Sequence, residues 1–158
     1  METIAQTGDV EVRRATIEDL DTLVPLFDAY RQFYRQPSAP TEARRFLRDR
    51  LEQNESIVFL ALVEAAAVGF TQLYPSFSSA AMARIFILND LFVAPEARRR
   101  GGGAALLQAA TEHGRRAGAA RLALSTELNN KAAQSLYEKA GWRRDTVFCT
   151  YQLTLATN

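Results

Sequence analysis

Apolar and polar residues alternate over residues 10–14, a period of two that predicts a first strand. The period then lengthens. Leu20, Leu23, Val24, Phe27 and Tyr30 fall on one helical face, Phe33 and Tyr34 close it, and Thr16 stands where a cap is needed. The run Gln36-Pro37-Ser38-Ala39-Pro40 breaks that helix, and Thr41 opens an arginine-rich second one carrying Phe46, Leu47 and Leu51. Two strands at 56–63 and 67–74, a third at 83–93, a helix at 103–117 and a strand at 121–126 follow. Asn130 caps a last helix, and residues 142–146 and 147–155 predict a closing pair of strands. Residues 1–9 carry no such pattern and predict a flexible tail. The mixed order predicts one α+β domain over residues 10–158, with a sheet of six or seven strands.

Composition narrows the function classes. The 158 residues suit a single core, and the 47% hydrophobic and 23% charged content is that of a soluble globular domain. A net charge of +1 provides no global field that selects nucleic acid or a membrane surface. The single Cys149 leaves no internal disulfide framework and is expected as a small buried hydrophobe. No segment has the make-up of a secretory leader or a membrane span, so a cytoplasmic protein is expected.

The stretch most suggestive of chemistry is residues 91–107. It runs from an apolar strand through Pro95 to Arg98-Arg99-Arg100-Gly101-Gly102-Gly103 and into an apolar helix beginning Ala104-Ala105-Leu106-Leu107. Glycines allow backbone amides to approach a ligand closely. The first amides of a helix lack intrahelical partners and attract anions, and arginines add planar donors for phosphate oxygens. The segment therefore reads as a pyrophosphate cradle. It lacks the lysine of a Walker A loop, and Leu106 stands where the dinucleotide fingerprint needs its third glycine.

Arg98-x-x-Gly101-x-Gly103 instead resembles the Gln/Arg-x-x-Gly-x-Gly/Ala signature of the GNAT superfamily of acetyl-CoA-dependent N-acetyltransferases. Residues 130–142 resemble that superfamily's later block, Asn-x-x-Ala-x-x-x-Tyr-x-x-x-Gly-Phe/Trp, through Asn130, Ala133, Tyr137, Gly141 and Trp142. The two blocks stand in the superfamily's order, and the likeness spans nearly the whole chain. It implies a mixed, mostly antiparallel sheet with about four helices, whose splayed central strands form the acetyl-CoA cleft. Segments 88–93 and 70–75 are similar to the branch of histone and polyamine acetyltransferases. Arg99 departs from the pattern, because it occupies a position where the superfamily often has glycine.

Carried over position by position, the resemblance implies that Leu91, Phe92 and Val93 pair with the pantetheine arm. Arg98, Arg99, Arg100, Gly101, Gly102, Gly103 and Ala104 would line the pyrophosphate, and Asn130 would touch the cosubstrate. Tyr137 is either the general acid that protonates the departing thiolate or a core tyrosine. The base is less obvious. An alkyl ammonium with a pKa of about 10.4 is only about 0.1% neutral or less at pH 7. Polyamine-acetylating relatives place Glu where this chain has Asn89, which can orient a water but not accept the proton. Asp90 is adjacent, yet strand alternation turns it to the opposite face unless a bulge intervenes. This favours a water held by Asn89. Glu127 is a second candidate. Tyr30, Phe33 and Tyr34 are either core or an aromatic wall for a cationic acceptor, with Tyr30, Tyr34 and Asn89 as the substrate set.

The resulting expectation is acetyl transfer by direct attack of a primary amine of a small molecule, polyamine or protein. A homodimer is implied, with no metal, nucleic acid or membrane partner. The competing expectation is a non-catalytic acyl-CoA sensor that keeps the loop but lacks a base.

Overall fold

The computed structural model describes residues 2–155. Its sheet has six strands in the order β1 (Ala5–Thr7), β2 (Val10–Arg14), β3 (Ile57–Val63), β4 (Ala66–Ser78), β5 (Ala83–Val93) and β6 (Arg121–Ala123). Neighbours are antiparallel except β5 and β6, which are parallel. Four α-helices complete the fold: α1 (Leu20–Phe33), α2 (Pro40–Glu52), α3 (Gly102–Arg116) and α4 (Lys131–Lys139).

Strand β3 shows why the sheet lies between two layers. Its odd residues Ile57, Phe59, Ala61 and Val63 pack with Leu106, Leu107 and Ala110 of α3. Its even residues Val58 and Leu60 pack with Leu23, Phe27 and Leu47 of α1 and α2. A strand buried on both faces reads as an apolar run, as Ile57–Val63 does. His113, on α3, lies edge-on to Phe59 and Phe86, and burial lowers its pKa.

Two carboxylates seat α1. Asp19 forms a two-pronged pair with the Arg13 guanidinium at 2.6 and 2.9 Å, which holds its pKa below the ordinary range and fixes the chain entering the helix. Asp28 accepts the Ser38 hydroxyl at 2.6 Å and the Ala39 amide at 2.8 Å, tying α1 to the start of α2.

The structure corrects several expectations. Residues 5–7 are not a loose tail: they form an edge strand on β2, with Ala5 buried. The β4 strand runs four residues past the expected Tyr74, and β6 stops at Ala123. Among the described residues no closing strand pair forms. Residues 143–155 lie exposed without strand structure, and Cys149 is exposed rather than buried.

Candidate active site

The last pair between β5 and β6 joins Ile87 to Ala123, yet β5 continues to Val93. Beyond Ile87 the two strands part, and a cleft of about 610 Å³ opens along the end of β5. Leu91, Phe92 and Val93 form one wall, Arg98 through Ala104 (Arg100 excepted) the floor, and Leu136 and Tyr137 of α4, with Asn130 just before it, the other wall. Phe33 and Tyr34 close it from α1 and the residue after it.

The loop conformation follows from its residues. Gly101 sits in the left-handed region at φ 86° and starts α3 with no side chain capping the helix end. The first amides of α3 are therefore left for a ligand. Arg99 also holds a positive φ, 64°, in the position where the resembled signature has glycine. The backbone has kept the glycine conformation under an arginine side chain. Arg98 donates from Nε to the Val93 carbonyl at 3.0 Å and lies over the Phe33 ring. Arg100 pairs with Asp9 and does not line the cleft.

On the opposite wall Asn130 caps α4 by accepting the Ala133 amide at 3.2 Å, and Gly141 ends it at φ 89°. Tyr137 is largely buried in the cleft wall, and burial pushes its phenol up to about 12.

The base candidates are arranged by a bulge. Gln72 pairs with Asp90 and Leu73 with Leu88, so Asn89 is the extra residue on β5. This overturns the alternation that would have put Asn89 and Asp90 on opposite faces. The Asn89 side-chain amide donates to the Asp90 carboxylate at 2.9 Å, while Asp90 itself is only 2% exposed. Gln72 donates to the other carboxylate oxygen at 2.5 Å, and the Thr71 hydroxyl donates to the Asp90 carbonyl. The Tyr30 hydroxyl donates to the Asn89 carbonyl at 3.3 Å. Burial raises the Asp90 pKa more than these hydrogen bonds lower it. Burial and the nearby Asp90 charge raise the phenols of Tyr30, Tyr34 and Tyr74.

This cluster adjoins the cleft rather than lining it. Tyr34 lines the cleft and meets Tyr30 edge-on at 5.1 Å, while Leu91 lines it and follows Asp90 in the chain. Tyr30 also packs against Phe27, Phe70 and Phe92, so it belongs to the core and to the cluster at once. Glu127 is engaged by Arg35 at 2.6 Å.

A family model described as the acetyltransferase (GNAT) family matches residues 23–142. The chain belongs to the GNAT family. Its sequence is 47% identical over 146 residues to the uncharacterised N-acetyltransferase YhfO of Bacillus subtilis, covering 92% of this chain and 98% of the relative. A solved structure of a probable acetyltransferase is 44% identical and superposes with a TM-score of 0.88, over 93% of this chain and 99% of that one. An aminoglycoside N-acetyltransferase crystallised with CoA shares the fold at a TM-score of 0.78 and 17% identity, over 95% of this chain and 98% of that one. The protein is thus a GNAT acetyltransferase with a mixed six-stranded sheet.

Within this GNAT chain, sequence reasoning missed Gln72 and Tyr74, both on β4, and Leu136 in the cleft wall. Leu136 had a helical-face signal; Gln72 and Tyr74 acquire their place only through register with β5. Leu136 also bears on Gly103. A Cβ on Gly103 would stand 2.9 Å from Leu136 Cδ2, so a larger side chain there would have to push the end of Leu136 aside where α3 approaches α4. Gly103→Val is expected to weaken CoA binding by about ten-fold or more by displacing α4 from the cleft. Adding Leu136→Ala should restore much of that loss, as read by calorimetric titration. No recovery in a folded double variant would mean that the glycine serves the ligand alone.

Proposed function

We propose that this GNAT protein transfers the acetyl group of acetyl-CoA to a cationic primary amine by direct attack, with Asp90 as base and Tyr137 as acid. The observation that carries this reading is the bulge at Asn89, which sets a buried carboxylate in the chain next to Leu91 of the cleft wall. The cleft suits the cosubstrate. Uncapped amides of α3 and the arginines 98 and 99 fit a pyrophosphate, and the unpaired outer edge of β5 at Leu91–Val93 fits an extended arm that bonds to backbone. Asn130 supports the same wall from α4.

Acetyl-CoA supplies an acetyl group activated as a thioester. The protein's residues handle the protons. Asp90, whose raised pKa makes it a stronger base than an ordinary carboxylate, accepts the ammonium proton and frees the nitrogen lone pair. Asn89, exposed and hydrogen-bonded to Asp90, orients that carboxylate, and Asp90 gives its proton to water once the product has left. Tyr137 remains a neutral phenol throughout the physiological range and holds a proton for the leaving sulfur. Tyr30 and Tyr34 offer aromatic surface to a cation beside the Asp90 charge. An acceptor of the polyamine kind satisfies this chemistry. The reaction is placed in the cytoplasm with the cosubstrate, and the working enzyme is proposed to be a homodimer.

Thiol release from acetyl-CoA, followed with a panel of a polyamine, a lysine peptide and an aminoglycoside, tests the reading. Release is expected with a cationic primary amine, and none with its quaternary counterpart, which has no proton to lose. CoA binding without release for any member of the panel would favour the sensor reading over the enzyme.

A further inference from the structure

The surroundings of Gln72 leave half of its side chain unused. It stands in the middle of β4, fully buried, in register between Val58 of β3 and Asp90 of β5. Cross-strand partners share a face, so Gln72 lies with Val58 and Phe70 in the layer beneath α1 and α2. An apolar side chain would suit that layer, as it does at those two positions. The Gln72 Nε2 donates to the Asp90 carboxylate, yet its Oε1 is buried with no hydrogen-bond partner among the described residues. A buried carbonyl oxygen without a donor is costly, and most such atoms in folded proteins are paired.

The chemistry of Asp90 accounts for the spare oxygen. A base alternates between a carboxylate, which only accepts hydrogen bonds, and a carboxylic acid, which also donates one. A side chain that serves both must donate to the first and accept from the second. A primary amide does this without changing shape, because half a turn about its last side-chain bond puts Oε1 where Nε2 was. The exchange needs no extra room, so it is possible in a packed interior. The other neighbours of Asp90 act differently. Asn89 holds the second carboxylate oxygen at 2.9 Å, but from an exposed side chain that water also reaches. Tyr30 of α1, Tyr34 just after it and Tyr74 of β4 face Asp90, and burial and its charge raise all three phenols away from its range. Beyond them, the charge of Arg50 on α2 bears on Tyr74 and that of Glu127 on Tyr34.

We propose that Gln72 is the positioning residue of Asp90 in both of its protonation states, its Nε2 holding the carboxylate and its Oε1 receiving the O–H of the acid. This rests on Asp90 as the base and adds the residue that lets a buried base act. The proton leaves the acceptor nitrogen and ends on the Asp90 carboxyl, while the Gln72 amide rotates and neither gains nor loses a proton. One end of the amide is unpaired in each state, so proton uptake creates no further buried group without a partner. The bond to the charged form is the stronger of the two. Gln72 therefore holds the Asp90 pKa below the value that burial alone would set.

Infrared difference spectra, recorded on the full chain across the acid limb with the glutamine side-chain carbonyls labelled with carbon-13, test this. One glutamine carbonyl band is expected to move to lower frequency on acidification, as a carbonyl does on gaining a hydrogen bond. It should do so at the midpoint where the Asp90 acid band appears. Both changes should be absent from Asp90→Asn. The glutamine change should also be absent from Gln72→Met, a variant of similar length that cannot hold the carboxylate. In Gln72→Met the Asp90 midpoint should rise by about one pH unit, a ten-fold change in its hold on the proton. The acid limb of kcat with acetyl-CoA and a polyamine should rise with it at unchanged CoA affinity. A glutamine carbonyl that stays fixed while Asp90 titrates overturns the rotation, and an unmoved midpoint in Gln72→Met overturns the positioning role. Both results leave the base reading intact. An Asp90→Asn enzyme that keeps its rate and its acid limb overturns the base and its positioning together. Should Gln72→Met fail to fold, the labelled band in the unaltered protein and in Asp90→Asn decides.

Discussion

Asp90→Asn is expected to lower kcat by about 10²–10⁴-fold and, at neutral pH, to raise the melting temperature. Both effects come from the same burial. Removing water from the carboxylate raises its pKa, which improves it as a base and makes its charged form costly to the fold. The folded pKa exceeds the unfolded one, so the stability linked to this group is present in full below the unfolded value. It is lost as pH rises through the folded value. A neutral amide removes that loss and can still accept from Gln72. The gain in melting temperature is about 2–4 °C for each kcal/mol recovered in a chain of this size. The rate of the unaltered enzyme should fall with decreasing pH at a value above the ordinary carboxylate range, and that limb should vanish in the variant. Asn89→Ala, which removes an exposed donor and leaves the carboxylate, should cost no more than about ten-fold. Full activity in Asp90→Asn, with Asn89→Ala severely impaired, would return the base to a water held by Asn89.

Tyr137→Phe is expected to lower kcat by about 10²–10⁴-fold with CoA affinity retained. Its hydroxyl forms no hydrogen bond to another residue among the described ones, so deleting it leaves no buried partner orphaned. The melting temperature should therefore stay nearly constant, which separates this variant from one that damages α4. The phenol, held at about 12 by burial, is a donor at every pH where the enzyme is folded and active. An equally active Phe variant would reassign Tyr137 to packing against Trp142, 6.2 Å away between ring centres.

What the sequence by itself determined lies in local patterns. The period of 83–93 yielded β5 at its observed ends, Asn130 and Gly141 bounded α4, and the glycine loop identified the floor of the cleft. Each of these signals acts over a few residues, through pleat, capping or φ, and survives without knowledge of neighbours. The partner of Asp90 could not be read this way. The bulge at Asn89 exists because β4 and β5 slip register between Gln72 and Leu73, a fact about two strands rather than one. Arg100 looked like a phosphate ligand from its run of arginines, but Asp9, distant in sequence, reaches it first. Gly103 looked like a ligand position, and only the fold shows that the end of the Leu136 side chain also stands against it. The closing strand has the clearest alternation in the chain and still pairs with no strand among the described residues. Periodicity decides which face of an element is apolar; only the tertiary structure decides what that face meets.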